Sequence, residues 1–463
     1  MLKRSLVSAV SALALAACAS GPDYRASPVT VSASGPFMSA AGPAVASTAP
    51  TDDWWRLYQD PVLDGLIADA LAANTDIRVA VARLAQARAL LRESRGAREP
   101  QVGLGGSGQY GSLPGPAIPG EGRTDLQVDV GLDVAYEADL FGRISRDVEA
   151  ARGDVGAAAA DSDAARVAIV GETARAYADA ASFAERIAVA ERIVALLNRS
   201  LTLTERRYQV GLANRLDTAR IATLRDQRLA EIPLLAAERQ AALFRLATLT
   251  GRTPRELPAQ AASRTASLRL KRSIPVGNGA TLLVRRPDVR AAERRLAAAT
   301  ARIGVATAEL YPRISFGGSV GSSGAGLGSL LNPVSWLAGP LINWTANRSA
   351  ARARVAGAQA NTQAALATFD GTILQALEET ETALSAYRNA LNRRAALLSA
   401  RDGAEAAARI TRAREREGDI TSLELLDAER TAADTQAALA EADARIIEAQ
   451  IDLFRSLGGG WNS

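Results

Sequence analysis

With 463 residues, 48% of them hydrophobic, the chain is long enough for two or three domains and a large core, while only 4% aromatics favour close helix packing through small side chains. It has no histidine and one cysteine, Cys18, which excludes His-dependent triads, His metal sites, zinc clusters and disulfides within the chain; no cofactor or metal is expected. The net charge of +4 comes from arginines interleaved with acids, as in RAREREGD (412–419), which read as solvated helix faces with i,i+4 pairs and not as a nucleic-acid stripe.

The N-terminus reads MLKRSLVSAVSALALAACAS. Lys3 and Arg4 precede a short apolar run, so residues 1–17 read as a secretory signal peptide. Leu15-Ala16-Ala17-Cys18 resembles a bacterial lipobox, in which the cysteine sulfur takes a diacylglyceryl group. An ordinary signal with an incidental cysteine is the alternative. No run of about 18 to 20 apolar residues follows, so no transmembrane helix is expected in the mature chain. Residues 18–50 read as a lipid-anchored linker rich in Pro, Ala and Ser.

Residues 51–251 form a first structural repeat and 285–458 a second. Asp76 and Pro100 map onto Asp288 and Pro312 at an offset of 212; Gly211, Leu216 and Gly251 map onto Gly418, Leu423 and Gly458 at an offset of 207. A unit this long is a duplicated half-molecule, not a solenoid repeat. Each half begins with a helix, about 60–98 and about 285–311, ending before a proline. A β-hairpin follows, 101–137 and 313–345, with strands at 102–111, 126–136, 313–322 and 333–344. Pro340 lacks a ladder donor and belongs at a bulge or edge. Long helix pairs complete the halves, 144–250 and 347–457. The first long helix, 144–210, has 67 residues and would run about 100 Å.

Ile187, Val194, Leu201 and Tyr208 recur every seven residues, with Ala190, Leu197 and Thr204 between them. That is the a/d seam of a left-handed coiled coil. Leu425, Ala432, Leu439, Ile446 and Leu453 repeat it, with Ala428, Thr435, Ala442, Ala449 and Ser456 as the small second set. Pro233 should kink the first returning helix. In the turns 208–217 and 416–424, Gly211 and Gly418 suit the left-handed position, while Asn214 and Thr421 or Ser422 can cap the next helix. Residues 252–284 join the halves, and 459–463 form a C-terminal tail.

LQVDVGLDVAY (126–136) puts Leu126, Val128, Val130, Leu132, Val134 and Tyr136 on one face and Gln127, Asp129, Gly131, Asp133 and Ala135 on the other. Trp336 and Trp344 share the apolar face of the last strand. Such strands fit a sandwich or a barrel wall in lipid. Four strands in two hairpins do neither alone, and a barrel needs about eight. Backbone in lipid tolerates no free edge. Several chains must therefore contribute hairpins to one barrel. Val128, Val130, Leu132, Val134, Trp336 and Trp344 would then face outer-membrane lipid, and Gln127, Asp129 and Asp133 a water-filled lumen.

Here the chain resembles an outer-membrane factor of the TolC/OprM type, in the lipoprotein branch tied to RND-type efflux pumps. The resemblance is carried by C-x₂-GPDY (18–24), WWRLYQDPVLDGLI (54–67), ANTDIRVAVARLAQARA (73–89), YEADLFGR (136–143), RYQVGLANRLD (207–217), LLVRRPDVRAAERRL (282–296), GPLINW (339–344) and REGDITSLELLDAE (416–429). It covers nearly the whole mature chain. It implies a mainly α fold with a small β part: two half-molecules of long antiparallel coiled-coil helices, plus four strands that join a trimeric 12-stranded transmembrane β-barrel. It further implies a homotrimer whose helices cross the periplasm, an equatorial belt that includes the 252–284 linker, and export driven by an inner-membrane RND-type pump through a periplasmic adaptor. No covalent chemistry belongs to the channel. Alanine at position 19, not aspartate, favours sorting to the outer membrane by the same resemblance.

By that resemblance the tips contact the adaptor through Tyr208, Gly211, Leu212, Asn214, Arg215, Leu216, Gly418, Thr421 and Ser422. Related channels narrow just past the second glycine, which makes Asp419, Ile420 and Leu423 the periplasmic gate; alternatively Asp419 solvates the turn or caps the next helix. Arg412, Arg414, Glu415, Arg416 and Glu417 would hold the closed tip together. Drugs or other small toxic compounds are the expected cargo, with type I protein secretion or metal-ion efflux as alternatives. A structural coiled-coil lipoprotein is the rival of another class. An enzyme reading finds no support: Asp52 and Asp53 are adjacent in a loop, and SFGGSVGSSGAGLG (315–328) lacks GK[ST] and reads as a flexible surface loop.

Overall fold

A computed structural model describes residues 20–25, 31–40, 42–114, 122–270, 272–325, 328, 334–417 and 419–459. The signal residues 1–17, Cys18, Gly418 and the tail beyond Gly459 lie outside them, as does the side chain of Ser422. The principal helices are α1 (Pro61–Ala73), α2 (Thr75–Gly96), α3 (Arg143–Gln209), α4 (Arg215–Leu249), α5 (Gly279–Arg285), α6 (Pro287–Ala308), α7 (Ser349–Glu417) and α8 (Ser422–Ser456). One sheet is built from β1 (Gln101–Pro114), β2 (Gly122–Ala138), β3 (Arg313–Ala325) and β4 (Ser335–Asn343). Val45–Ala46 pairs in parallel with Ile274–Pro275.

The helix expected at about 60–98 is two helices. Asn74 turns extended between them, and its side-chain oxygen accepts from the amides of Asp76 at 2.8 Å and Ile77 at 3.2 Å. It thereby caps α2. Its amide nitrogen donates to the Leu249 carbonyl at 3.0 Å. The second half breaks at the equivalent place, 212 residues on: Arg286 is extended and Pro287 opens α6. Proline forces that break, since the residue before it avoids helix. The asparagine achieves it by competing for backbone donors. Pro233 is accommodated within α4, which runs unbroken from Arg215 to Leu249.

The chain forms two compact units, each drawing on both halves. One holds Arg83–Ala159, Ala291–Gly371 and, of the N-terminal stretch, the described residues 20–25. Here β1-β2-β3-β4 form a fully antiparallel sheet in that order, so the two hairpins lie side by side. The Gly-rich segment 315–328, expected as a loop, is strand through Ala325. Glycine is what the strand needs there. A Cβ on Gly321 would fall 2.6 Å from the Val130 carbonyl oxygen of the neighbouring strand.

The other unit holds Pro28–Ala82, Ala160–Arg290 and Thr372–Ser463. Trp54 is buried and stacks on Phe454 at 4.6 Å, anchoring a core with Leu63, Ile67, Tyr177, Leu246, Ile274, Leu384, Ile451 and Leu453. Asp60 is buried among these groups. It caps α1 through the amides of Val62 and Leu63 and accepts from Tyr177 Oη at 3.1 Å and Arg264 at 2.6 Å. Most of the heptad seam is buried: Ala190, Val194, Leu197, Leu201 and Thr204 in α3, and Leu425, Ala432, Ala442, Ile446 and Leu453 in α8, while Ile187, Ala428, Thr435 and Leu439 are half-buried. Tyr208, the seam's last member, is exposed.

Candidate channel wall and helical tips

The sheet register extends the alternation of one strand across all four. Val130 in β2 lies opposite Gly106 and Ser322, Leu132 opposite Leu104 and Val320, and Val134 opposite Val102 and Gly318. Val320 in turn faces Trp336, and Phe316 faces Pro340. One face of the sheet is therefore apolar, with Val102, Leu104, Val130, Leu132, Val320, Trp336 and Ile342 all exposed. Val128 shares that face but is itself buried.

The other face is polar. Gln127, Asp129 and Asp133 share it with Gln101, Ser107 and Gln109 of β1 and Ser315, Ser319 and Ser323 of β3. Ser107 Oγ donates to Asp129 Oδ2 at 3.2 Å. Asp129, Asp133, Ser319 and Ser335 line a shallow hollow of about 450 Å³. Leu337 and Leu341 of β4 break the pattern: they fall on the polar face, opposite Ser319 and Ser315, and both are exposed.

Pro340 sits in β4 with the register unbroken around it, so it occupies an edge and no bulge. Trp344, assigned from its period to the strand's apolar face, lies just past the end of β4 at Asn343. Its indole nitrogen donates to the Leu310 carbonyl at 3.3 Å, and the Arg348 guanidinium lies 5.3 Å from the ring centroid. Hydrogen bonding to the loop after α6, not strand pairing, sets its direction. Among the described residues, β1 and β4 each pair on one side only. Unpaired backbone in hydrocarbon costs several kcal/mol per group, so these edges require partners.

At the helical tips, Gly211 is left-handed (φ 80°). The amides of Gly211 and Leu212 donate to the carbonyls of Tyr208 and Arg207, the double bond of a Schellman ending. Asn214 and Asp217 form a reciprocal capping box that starts α4. Tyr208, Leu212 and Leu216 are left exposed around this turn. In the second tip, Thr421, not Ser422, caps α8, its hydroxyl accepting from the Glu424 amide.

Asp419 caps no helix. Its amide donates to the Arg414 carbonyl at 3.0 Å, and its carboxylate accepts from Arg414 Nε at 2.9 Å. Ile420 is half-buried and Leu423 exposed. The arginine–glutamate network is also not confined to 412–417. Arg207 in α3 bonds both the carboxylate and the carbonyl of buried Glu415, and Arg412 and Ser200 both donate to buried Glu429. No ion pair of Arg416 or Glu417 is seen among the described residues. The remote partners Arg207, Ser200 and Glu429 were invisible to spacing rules, because they lie on other helices.

A sheet with one oily wall, one wet wall and two unpaired edges defines a class: a segment of a membrane-channel barrel. A purely structural coiled coil has no use for such a sheet. The family model of outer membrane efflux proteins matches residues 66–252 and 280–459. The chain is 32% identical to the outer membrane protein OprJ of Pseudomonas aeruginosa over 97% of this chain and 95% of that one. It is 30% identical to SrpC, a solvent efflux pump outer membrane protein of Pseudomonas putida, over 97% of each. The solved outer-membrane channel OprN superposes with a TM-score of 0.90 at 36% identity, covering 96% of this chain and all of that one. The chain belongs to the outer membrane efflux protein family: it is an outer-membrane conduit of the TolC/OprM type and not an enzyme.

Proposed function

We propose that three copies of this chain form one conduit, anchored in the outer membrane by lipid on Cys18 and extending into the periplasm. It carries drugs or other small toxic compounds outward, with a periplasmic adaptor and an inner-membrane RND-type pump supplying specificity and drive. The observation that carries this reading is the four-stranded sheet with unpaired edges at β1 and β4. Three copies joined edge to edge give twelve strands, enough for a closed barrel with a water-filled lumen. Relatives named for antibiotic and solvent efflux support the choice of cargo. The exposed apolar groups at the tips, Tyr208, Leu212, Leu216 and Leu423, with Gly211, Asn214, Arg215 and Thr421, suit an adaptor surface. Cysteines introduced at Gln101 and Asn343, one on each outer strand, are used to seek cross-links between chains. Trimer bands together with ion conductance in planar bilayers are expected; absence of either removes the reading.

Two further outcomes follow from the same proposal. Cys18→Ser should abolish incorporation of labelled palmitate, and persistent labelling would show that the lipid is carried elsewhere. With Cys18 replaced, single cysteines at 129 or 133 should react with a charged thiol reagent and change conductance, whereas those at 128 or 130 should not. Because a one-residue slip exchanges the two faces, the reverse pattern would mean that the oily face lines the lumen.

A further inference from the structure

Three stretches far apart in the chain meet at one small site. They are Ser20–Tyr24, the Asp139–Arg146 turn into α3, and α6. Asp139 starts the construction by capping α3, its carboxylate accepting from the amides of Ile144 at 2.9 Å and Ser145 at 2.8 Å. Gly142 is left-handed (φ 75°), which turns the chain into the helix. Arg146, one turn in, is buried, with 6% of its surface exposed. Its guanidinium donates to the Ser20 carbonyl at 3.2 Å, the Gly21 carbonyl at 3.3 Å, Asp23 Oδ1 at 2.6 Å and Glu149 Oε2 at 2.7 Å. The Ser20 amide donates to the Phe141 carbonyl at 3.2 Å.

α6 supplies the other wall. A Cβ on Gly21 would fall 2.5 Å from Gly304 Cα, and one on Gly304 would fall 2.6 Å from the Ser20 carbonyl oxygen. Gly21 is left-handed as well (φ 88°). Tyr24 Oη donates to Glu293 at 3.1 Å, and burial, aided by that carboxylate, pushes the phenol up to about 12. The phenol therefore stays a donor throughout the ordinary pH range. A planar guanidinium fork with fixed donors suits two successive carbonyls and a carboxylate; a lysine ammonium does not.

We propose that this is a dock for the chain's own acylated N-terminus, with Arg146 as its positioning residue. It holds Ser20–Asp23 so that the lipid on Cys18 enters the bilayer beside the junction of β2 and α3. Cys18 is two residues from the docked Ser20, so its reach is at most about 7 Å. A lipid on a free linker could insert anywhere within tens of ångströms; a docked one has one place. The proposal rests on acylation at Cys18, and its test separates the two ideas.

Cys18 is the only cysteine, so the full-length protein exported behind a cleavable, non-lipobox signal accepts a single nitroxide there. A slow, immobilised spectrum is expected with the dock intact. Gly21→Ala alters only the docked segment and should leave helix content and melting unchanged while raising the label's mobility at least threefold. Arg146→Gln should also raise the label's mobility, and Arg146→Lys should leave it raised. In the native lipidated protein, hydrogen exchange of the 20–25 segment should accelerate at least tenfold on Gly21→Ala. Equal mobility and exchange in parent and Gly21→Ala would overturn the dock. Absence of palmitate from the parent protein would instead overturn acylation and leave the spin-label result standing.

Discussion

Replacing Asp179 by asparagine is expected to stabilise the helical unit at neutral pH, by about 3 kcal/mol, and to do nothing near pH 3.5. Asp179 lies in α3 with its carboxyl pushed up from the ordinary 3.8 to about 6. Burial is the main cause, and the negative charge of Glu448 adds to it; Arg175, Arg245 and Arg445 pull the other way without cancelling it. The folded chain thus holds this proton more tightly than the unfolded one. Below pH of about 3.8 both states carry it, and no cost arises. As pH rises from about 3.8 to about 6, the unfolded chain releases it first and stability falls. Above about 6 the full cost is in force, about 3 kcal/mol for a carboxyl raised from 3.8 to about 6. Asparagine has similar volume and no charge, so it escapes the cost. Unfolding of the detergent-solubilised protein, followed by helical circular dichroism at pH 3.5, 5 and 7.5, checks it. A gain equal at all three pH values would mean that packing, not ionisation, was responsible.

The coupling of Asp179 to Glu448 illustrates what the chain showed in advance and what it hid. Period-two alternation exposed the two walls of β2, because a strand between oil and water must alternate along a short local stretch. Heptads exposed the coiled seam for the same reason: Val194, Leu197 and Leu201 are fixed by neighbours three and four residues away. The duplication revealed that the order of elements in one half recurs in the other. The break at Asn74 is not legible in the sequence, because an asparagine interrupts a helix only when its side chain finds backbone donors. The matching break at Arg286 had a proline to announce it. Groups whose partners lie hundreds of residues away left no local trace. Arg146 reads as another solvated arginine, yet it is buried against carbonyls 125 and 126 residues earlier. Arg207 and Glu415 each looked like part of a charged helix face, and only folding brings them together. Even the surroundings of Trp344, one residue past the end of β4, escape the pattern, since period alone cannot say where pairing stops.

The gate is where pairing matters most for function. We propose that three copies of the second tip gather around one axis, bringing Asp419, Ile420 and Leu423 together as the narrowest ring. Like charges there repel, by about 1 kcal/mol per pair at 4 Å in water and several-fold more where water is excluded. Arg414, 2.9 Å from each Asp419 within the same turn, offsets part of that repulsion. The pair is more than half exposed on both sides and contributes little stability. The tip is held instead by the buried contacts of Glu415 with Arg207 and of Glu429 with Arg412 and Ser200. A closed state balanced in this way is marginal and can be opened by an adaptor that binds the turns. Asp419→Ala combined with Ile420→Ala removes the side chains that fill the ring, so although it also removes the repulsion it should widen the ring, raise single-channel conductance several-fold and admit large antibiotics. Trimer assembly should be unchanged, because neither side chain joins the buried network and the turn's backbone bond from residue 419 to the Arg414 carbonyl survives. Arg414→Ala alone, which leaves Asp419 unscreened, should also raise conductance, and more so at low salt. Unchanged conductance in the double variant would move the constriction to the first turn, where Arg215 and the capping residue Asp217 become the next candidates.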